Sequence, residues 1–519
     1  MTTMLWTIDD ILAATGGDLL AGPDRYRGMP GAGNSPDTGN SADKRDTGNE
    51  AGMAAVADVD VVARSDGSDP GPKFAHVFID SRRIPENGLF VAIRGDRHDG
   101  HDYIHQVLPA GVRGMVIDKK KTGAVTARPD SVRNGLVIIG VADTTRALGD
   151  LAAYHRRRAG IPLAAVTGSN GKTSVREMIA AIFRQRFNTL STMGNFNNHI
   201  GLPLTLLRLD RSHQAAVVEM GMNHPGELRR LSEIGRPDLA GVTNIGAAHL
   251  EGLGTLEMVM EAKAEIMDGM ADDAPLILNG DDAYCRKLAA SVARPVVFFG
   301  AGENAHVRAA DIHTSAAGSR FTLCLSDVRV DIRLNIPGLF MVTNALAAAA
   351  AADIMGISPE EIKTGLEAFT PVKGRMNIVE TSWGGMVIDD TYNANPDSMA
   401  AAIRTLAALK GEGRAVVVAG DMLELGERAA DYHQDIGRLC ADLAVDRVYA
   451  AGQYAGDLAN GARKAGMPAR AVVIGEKNRL AADLADYLTP GDRVLVKGSR
   501  SMEMETVVRF LMELNKFNK

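Results

Sequence analysis

Cysteine is nearly missing from this chain. Cys285, Cys324 and Cys440 are the only three in 519 residues, scattered and mostly flanked by apolar neighbours. They have no zinc-site spacing and build no disulfide framework, so they read as small buried hydrophobes in a reducing compartment. Positive charge is also short. Lys and Arg number 57 against 64 Asp and Glu, for a net charge of −7, which leaves no basic excess to engage a nucleic-acid backbone. Long apolar runs are missing too. The opening MTTMLWTIDDILAATGG carries acidic residues and no apolar core, so no signal peptide is expected there. The alanine-rich run after Asn344 is broken by Asp353, so it reads as a core-facing helix rather than a membrane span. No GxGxxG follows the strands of the last third, which argues against a nicotinamide cofactor.

What is present is a soluble, multidomain composition. The chain is 45% hydrophobic and 23% charged, close to globular averages, and long enough for three or four domains. Its most informative stretch is LAAVTGSNGKTS, Leu163 to Ser174. The apolar run from Leu163 to Val166 predicts a buried strand. Gly168, Ser169, Asn170 and Gly171 form a turn, and Lys172, Thr173 and Ser174 open a helix expected to reach about Phe187. Such a turn aims successive backbone N–H groups and a helix N-terminus at one point, which binds phosphate. Lys172 would reach the β- and γ-phosphates and the Thr173 hydroxyl would ligate Mg²⁺. The spacing departs from the strict phosphate-loop pattern, since Val166 stands where its first glycine belongs.

Three parts separate along the chain, at 1–160, 161–371 and 372–519. Within the first, residues 22–73 are rich in Gly, Asp, Ser, Asn and Pro and largely lack periodicity. That composition buries too little apolar surface to offset ordering entropy, so a disordered insertion is expected. Strands are expected at Phe74 to Ile79, GLFVAI, GMVID and GLVIIG, making a small α/β domain. The second part alternates strands (Ala215 to Glu219, Leu239 to Asn244, Pro275 to Asn279, Val296 to Phe299) with helices, which predicts a mostly parallel sheet with covered faces. Arg320 to Ile336 alternates like an antiparallel pair, and helices are expected at Val342 to Met355 and Pro359 to Phe369. In the third part, RAVVVAG, RVYAAG, RAVVIG and DRVLVKG predict a Rossmann-like α/β layout, preceded by a hairpin across Gly384-Gly385.

Further polar residues gather at strand ends. Glu219 ends AAVVE, at the carboxyl end of a parallel strand, where α/β sheets bind ligands and where a carboxylate can ligate Mg²⁺. His249 in NIGAAHLEG follows the next strand toward the same crevice. Lys263 in EAKAEIM is, by itself, an ordinary surface lysine.

These strings together (TGSNGKTS, GNFNNHIG, EMGMNHPGE, NIGAAHLEG and AKAEI) resemble the Mur ligases, which build the peptide stem of bacterial peptidoglycan. DDTYNANPDSM, GDMLELGE followed by His433, and VKGSRSMEME look like the branch that joins D-alanyl-D-alanine to UDP-N-acetylmuramoyl-tripeptide. DSRRIPENGLFVAIRGDRHDGHDYI resembles that branch's uridine-nucleotide module. The resemblance covers nearly the whole chain outside 22–73. It implies a three-domain Mur ligase architecture: a small N-terminal α/β domain, a central ATPase domain and a C-terminal Rossmann-like domain. It implies that Gly168 to Ser174 bind ATP, and that Thr173, Glu219 and His249 hold Mg²⁺. It implies that Lys263 is carbamylated by CO₂ to give an extra carboxylate near the metal. Asn344, Arg375 and Asp390 would contact the nucleotide. Ser81 and Arg82 fall in the uridine-nucleotide module, Asn195 on the substrate side, and Asn393, Asn395 and Pro396 in the D-alanyl-D-alanine segment. One departure stands out. Relatives often carry a His-Asn pair before the Asn-Ala-Leu-Ala-Ala helix, where this chain has Phe340 and Met341. Adenine would then be held by stacking and backbone contacts.

The implied chemistry is ATP-dependent amide formation through an acyl phosphate, in a cytoplasmic monomer without membrane insertion or nucleic-acid partner. His433 and Asp421 are general-base candidates on motif grounds alone. The competing readings are another Mur-type ligase, a folylpolyglutamate synthase, or a non-catalytic nucleotide-binding regulator. The first two should lack DDTYNANPDSM and VKGSRSMEME, and the last gives no reason for Glu219, His249 and Lys263 to occur together. Replacing residues 24–70 by a short Gly/Ser linker is expected to leave ATP turnover and melting temperature almost unchanged, because long insertions cost little closure entropy. Steady-state kinetics and a thermal melt of the deletion variant check this.

Overall fold

The computed structural model describes residues 3–22, 71–123, 135–326 and 328–514. Most of the expected insertion therefore lies outside the described residues. The chain divides into two compact units, 3–154 and 155–519.

The first unit holds a five-stranded sheet in the order Asp18–Ala21, Val137–Val141, Gly114–Asp118, Gly88–Val91, His76–Phe78. Four strands run parallel and Asp18–Ala21 is antiparallel. Phe78, Phe90, Ile104, Met115 and Ile138 fill one face. The helix Ile8–Thr15 opens on a reciprocal Thr7–Asp10 capping box and stops at Gly16 in the left-handed region, the usual start and stop chemistry of a short helix.

The second unit carries two sheets. The larger has nine strands in the order Val328–Leu334, Gly318–Leu325, Val307–Ser315, Val296–Gly300, Leu276–Asn279, Leu239–Val242, Leu163–Thr167, Ala215–Glu219, Thr189–Ser191. From Thr189–Ser191 across to Val307–Ser315 it is parallel, and Val307 to Leu334 extends it antiparallel. The expected antiparallel pair is thus two strands of a three-stranded meander. The helices Lys172–Phe183, Leu339–Ile354 and Pro359–Glu367 share a core with the sheet. Ala348 to Ala352 are fully buried, and their small side chains let Leu339–Ile354 lie close against its neighbours. The Lys172 helix ends at Phe183, short of Phe187, where Arg184 to Phe187 close in turns.

The six-stranded sheet runs Asn377–Glu380, Met386–Asp390, Arg493–Lys497, Ala415–Ala419, Arg447–Ala450, Val472–Ile474, parallel except for the first strand. The expected hairpin joins its first two strands. Trp383 at that turn is buried, with its indole N–H donating to the Leu511 carbonyl at 3.1 Å. Among the described residues no helix is long and apolar enough to cross a membrane.

Two helices of this layer, Ala429–Asp442 and Ala455–Lys464, meet backbone to backbone. A Cβ on Gly437 would lie 1.9 Å from the Leu458 carbonyl oxygen, and one on Gly461 1.9 Å from that of Gln434. Gly437→Ala is therefore expected to destabilise the fold by about 1–3 kcal/mol, because packed backbone cannot yield a methyl's worth of space. Differential scanning calorimetry would show this as a melting temperature lowered by several degrees.

Candidate functional site

In the nine-stranded sheet the chain leaves Leu163–Thr167 for one edge, returns through Ala215–Glu219, and then crosses to Leu239–Val242 on the other side. Ligands bind at such a reversal, beyond the carboxyl ends of the strands. The phosphate loop, Glu219 and the 243–249 loop all stand there. They line one cavity of about 1120 Å³, together with residues at the carboxyl ends of the six-stranded sheet's central strands, among them Arg375, Asp390, Asn393, Asn395 and Lys497.

The loop itself is shaped by two glycines. Gly168 has φ +146°, and a Cβ there would fall 1.9 Å from Thr243 Oγ1; Gly171 has φ +82°, and its Cβ would meet Asn344 Oδ1 at 2.5 Å. No other residue fits both the conformation and the space. Ser169 Oγ accepts from the Gly246 N–H at 2.9 Å, and the Asn170 N–H donates to Asn244 Oδ1 at 2.8 Å. Lys172 folds back, donating from Nζ to the carbonyls of Gly168 at 2.6 Å and Ser169 at 3.3 Å. It is the half-buried first residue of the helix Lys172–Phe183. Burial first, and the Arg375 charge, hold its pKa below the usual lysine value against the pull of Glu219.

Glu219 is 1% exposed. Its Oε2 accepts from Thr173 Oγ1 and its Oε1 from Asn197 Nδ2, both at 2.8 Å, with Arg176 Nε 3.8 Å from Oε2. Arg176 is buried and also donates to the carbonyls of Thr192 and Gly194, which shapes the turn carrying Asn197. Here the structure differs from expectation. Asn197, not Asn195, lines the cavity and reaches Glu219. In a run containing three asparagines the choice is made by the turn, where the Asn197 N–H donates to the Asn195 carbonyl.

Lys263 is 2% exposed and does not line the cavity. Burial, then the nearby Lys172 ammonium, press its pKa well below the ordinary lysine value. It is not the surface lysine its local sequence suggests. His249 sits at φ +58° and its Nδ1 pairs with Glu424 Oε2 at 2.7 Å. That contact is the main reason the Glu424 carboxyl is held below its usual range. Among the described residues no three His, Cys, Asp or Glu side chains cluster tightly enough to hold a metal ion.

On the opposite wall Arg375 sits over Tyr392, with Cζ 4.1 Å from the ring centroid, and its buried Nε has no partner. Asp390 is not free. Its Oδ1 accepts from the Met376 N–H, and its Oδ2 is paired with the buried ammonium of Lys497. Asn393 lines the cavity with an exposed side chain, whereas Pro396 does not line it. Asn395 is a helix cap whose two amide atoms are both engaged. Asn344 Nδ2 donates a weak hydrogen bond to Met341 Sδ at 3.6 Å, and half-buried Phe340 lines the cavity and packs against the cores of both sheets. Ser81 and Arg82 belong to the first unit, where Arg82 forks onto Asp80 at 2.8 and 2.9 Å and lowers that carboxyl to about 2.

The two general-base candidates are structural. His433 Nε2 accepts from the Met422 N–H at 2.9 Å and its Nδ1 donates to the Ala429 carbonyl at 2.7 Å. Both nitrogens are used, and burial holds the ring neutral by lowering its pKa. Asp421 accepts from the amides of Gln453 and Tyr454 at 2.7 and 3.0 Å. Together they fix the loop that carries Glu424.

Three family models match this chain: the Mur ligase family catalytic domain over 73–156, the Mur ligase middle domain over 166–352, and the Mur ligase glutamate ligase domain over 374–500. The chain belongs to the Mur ligase family. Among its Mur ligase relatives are the UDP-N-acetylmuramoyl-tripeptide–D-alanyl-D-alanine ligases of Bacillus subtilis, 36% identical, and Escherichia coli K12, 37% identical. Each match covers 84% of this chain and 93% of the relative. A crystal structure of MurF from Acinetobacter baumannii superposes with a TM-score of 0.80 at 31% identity, covering 99% of this chain and all of that one. MurF ligase from Thermotoga maritima in complex with ADP gives 0.74 at 28% identity, covering 84% and 97%.

His433→Asn should cost about 1–3 kcal/mol of stability, the price of leaving the Met422 amide poorly paired. The turnover of the folded variant should stay near that of the parent, because neither ring nitrogen is free to take a proton from substrate. A kcat loss of the size that removing a general base brings, about 10²–10⁴-fold, would return His433 to catalysis.

Proposed function

We propose that this Mur ligase joins D-alanyl-D-alanine to UDP-N-acetylmuramoyl-tripeptide at the expense of ATP, making the pentapeptide precursor of peptidoglycan in the cytoplasm. The observation that carries the reading is that the phosphate loop and the segment Asp390 to Asp397 face each other across one cavity. The terminal carboxylate oxygen of the tripeptide attacks the γ-phosphorus and ADP leaves. The amine nitrogen of the dipeptide then attacks the acyl carbon, phosphate departs, and the nitrogen loses its proton. Two anions must meet in the first step, so positive charge and positioning dominate. Lys172 and the unpartnered Nε of Arg375 supply that charge from opposite walls.

Thr173 and Glu219 offer the hard oxygen donors that Mg²⁺ takes, and His249 keeps Nε2 available because Nδ1 is occupied by Glu424. When bound, the ion would neutralise phosphate charge. The depressed pKa of Lys263 supports carbamylation. A neutral amine is the form that adds to CO₂, giving a carbamate anion and releasing one proton, and this lysine is pressed toward that form by burial. With both amide atoms of Asn395 committed, the acceptor's carboxylate falls to Asn393 and to Arg500, which lines the cavity with Cζ 5.8 Å from the Tyr392 ring and has only its Nη1 donating to Glu505. Phe340 offers the base a ring to stack on.

The test is ADP release in the presence of the tripeptide nucleotide. D-Alanyl-D-alanine should stimulate it and single amino acids should not, and the reading fails if D-alanine, L-lysine or diaminopimelate is the better acceptor. Lys172→Ala should abolish turnover in a folded protein. Lys263→Met should be inactive yet melt no lower than the parent, since a buried amine without a partner contributes no stability that a thioether would lose. Lys263→Glu should recover part of the activity.

A further inference from the structure

Three side-chain hydrogen bonds bridge the cavity from the loops of the six-stranded sheet to those of the nine-stranded one. Asn395 Nδ2 donates to Asn170 Oδ1 at 2.8 Å, Asp397 Oδ2 accepts from the Ala247 N–H at 3.1 Å, and Glu424 takes His249 Nδ1 at 2.7 Å. The Glu424 carbonyl also accepts from the Glu251 N–H at 3.1 Å. The approach is close. A Cβ on Gly246 would stand 2.1 Å from Asp397 Oδ2.

Asn395 is the most constrained of these. Its Oδ1 accepts from the Ser398 N–H at 2.9 Å, capping the helix Pro396–Leu409. The cap fixes which end of the amide faces the helix, so Nδ2 must face outward, and there it meets the phosphate loop. The residue is 8% exposed. Asn170 is equally determined. Its N–H donates to Asn244 Oδ1, and its carbonyl accepts from Thr243 Oγ1 and Asn244 Nδ2. Only its side chain is left to reach across, and it must present oxygen to a donor.

We propose that Asn395 is a positioning residue for the phosphate loop rather than a ligand of the acceptor dipeptide. Its amide holds Asn170, and through Asn170 the turn that delivers the Gly171 amide and Lys172. Docking of the Pro396–Leu409 helix and ordering of the nucleotide site are then one equilibrium, and each favours the other by the same factor. The proposal rests on the reading of this cavity as the ligase centre.

The test uses the full-length chain. Asn395→Ser keeps an oxygen for the Ser398 amide, so the helix cap survives, but removes the donor to Asn170. Asn170→Ala removes the acceptor. Titration calorimetry with Mg²⁺ and a non-hydrolysable ATP analogue should show each single variant binding about three- to tenfold more weakly, the worth of one hydrogen bond. The double variant should bind no more weakly than the worse single, because both remove one interaction. The KM for D-alanyl-D-alanine should stay within about twofold of the parent, since the acceptor loses no ligand. Unchanged nucleotide affinity, losses that multiply in the double variant, or a rise in the dipeptide KM alone would overturn the proposal. The calorimetry needs no acceptor. An error in the acceptor assignment would instead appear as failure of the parent enzyme to use the dipeptide.

Discussion

A buried carboxylate has to be answered by its surroundings, and at Glu219 the answer organises the site. The strand Ala215–Glu219 delivers it into the crevice almost without solvent. An ionised group in that place is tolerated only when its oxygens are bonded. Thr173 supplies one bond from the first turn of the phosphate-loop helix, and Asn197 supplies the other from a turn held by Arg176. Three separate segments of chain therefore converge because one oxygen pair must be satisfied. The helix that carries Thr173 is thereby anchored with its N-terminus toward the cavity, where its free amides favour an anion.

Much of this was readable from the residues. The phosphate loop announces itself because its glycines, lysine and threonine occur in a strand–turn–helix setting. The parallel strands were legible because each is a short apolar run bounded by turn residues. The edge strands Asp18–Ala21 and Thr189–Ser191 were not legible. At four and three residues they show no period, and neighbours pair them into the sheet. The strand Val307–Ser315 was also missed, and its burial alternates only weakly.

Within the site, residue types were easier to read than their engagements. Glu219, Lys172 and Arg375 stand where a strand end or a loop must put them. Asp390, Asn395, Asp421 and His433 are also close by, yet their polar atoms are bonded to the protein itself. Nothing local in a sequence says whether an asparagine before a Pro-Asp pair faces a ligand or caps the helix it precedes. The burial of Lys263 was likewise invisible, since EAKAEIM has no feature that says which way the lysine turns.

The contacts across the cavity also carry an order in time. The partner of the Asn170 side chain lies 225 residues downstream, and that of His249 lies 175 downstream. At a synthesis rate of about 5–20 residues per second, the nascent phosphate loop exists for roughly 10–45 s before the asparagine that braces it has been made. His249, with its left-handed backbone, waits almost as long for Glu424. Only in the last part of that interval, once Leu334 has been made, is the nine-stranded sheet complete in sequence, and its crevice then still lacks a wall, so nucleotide affinity is among the last properties the growing chain acquires.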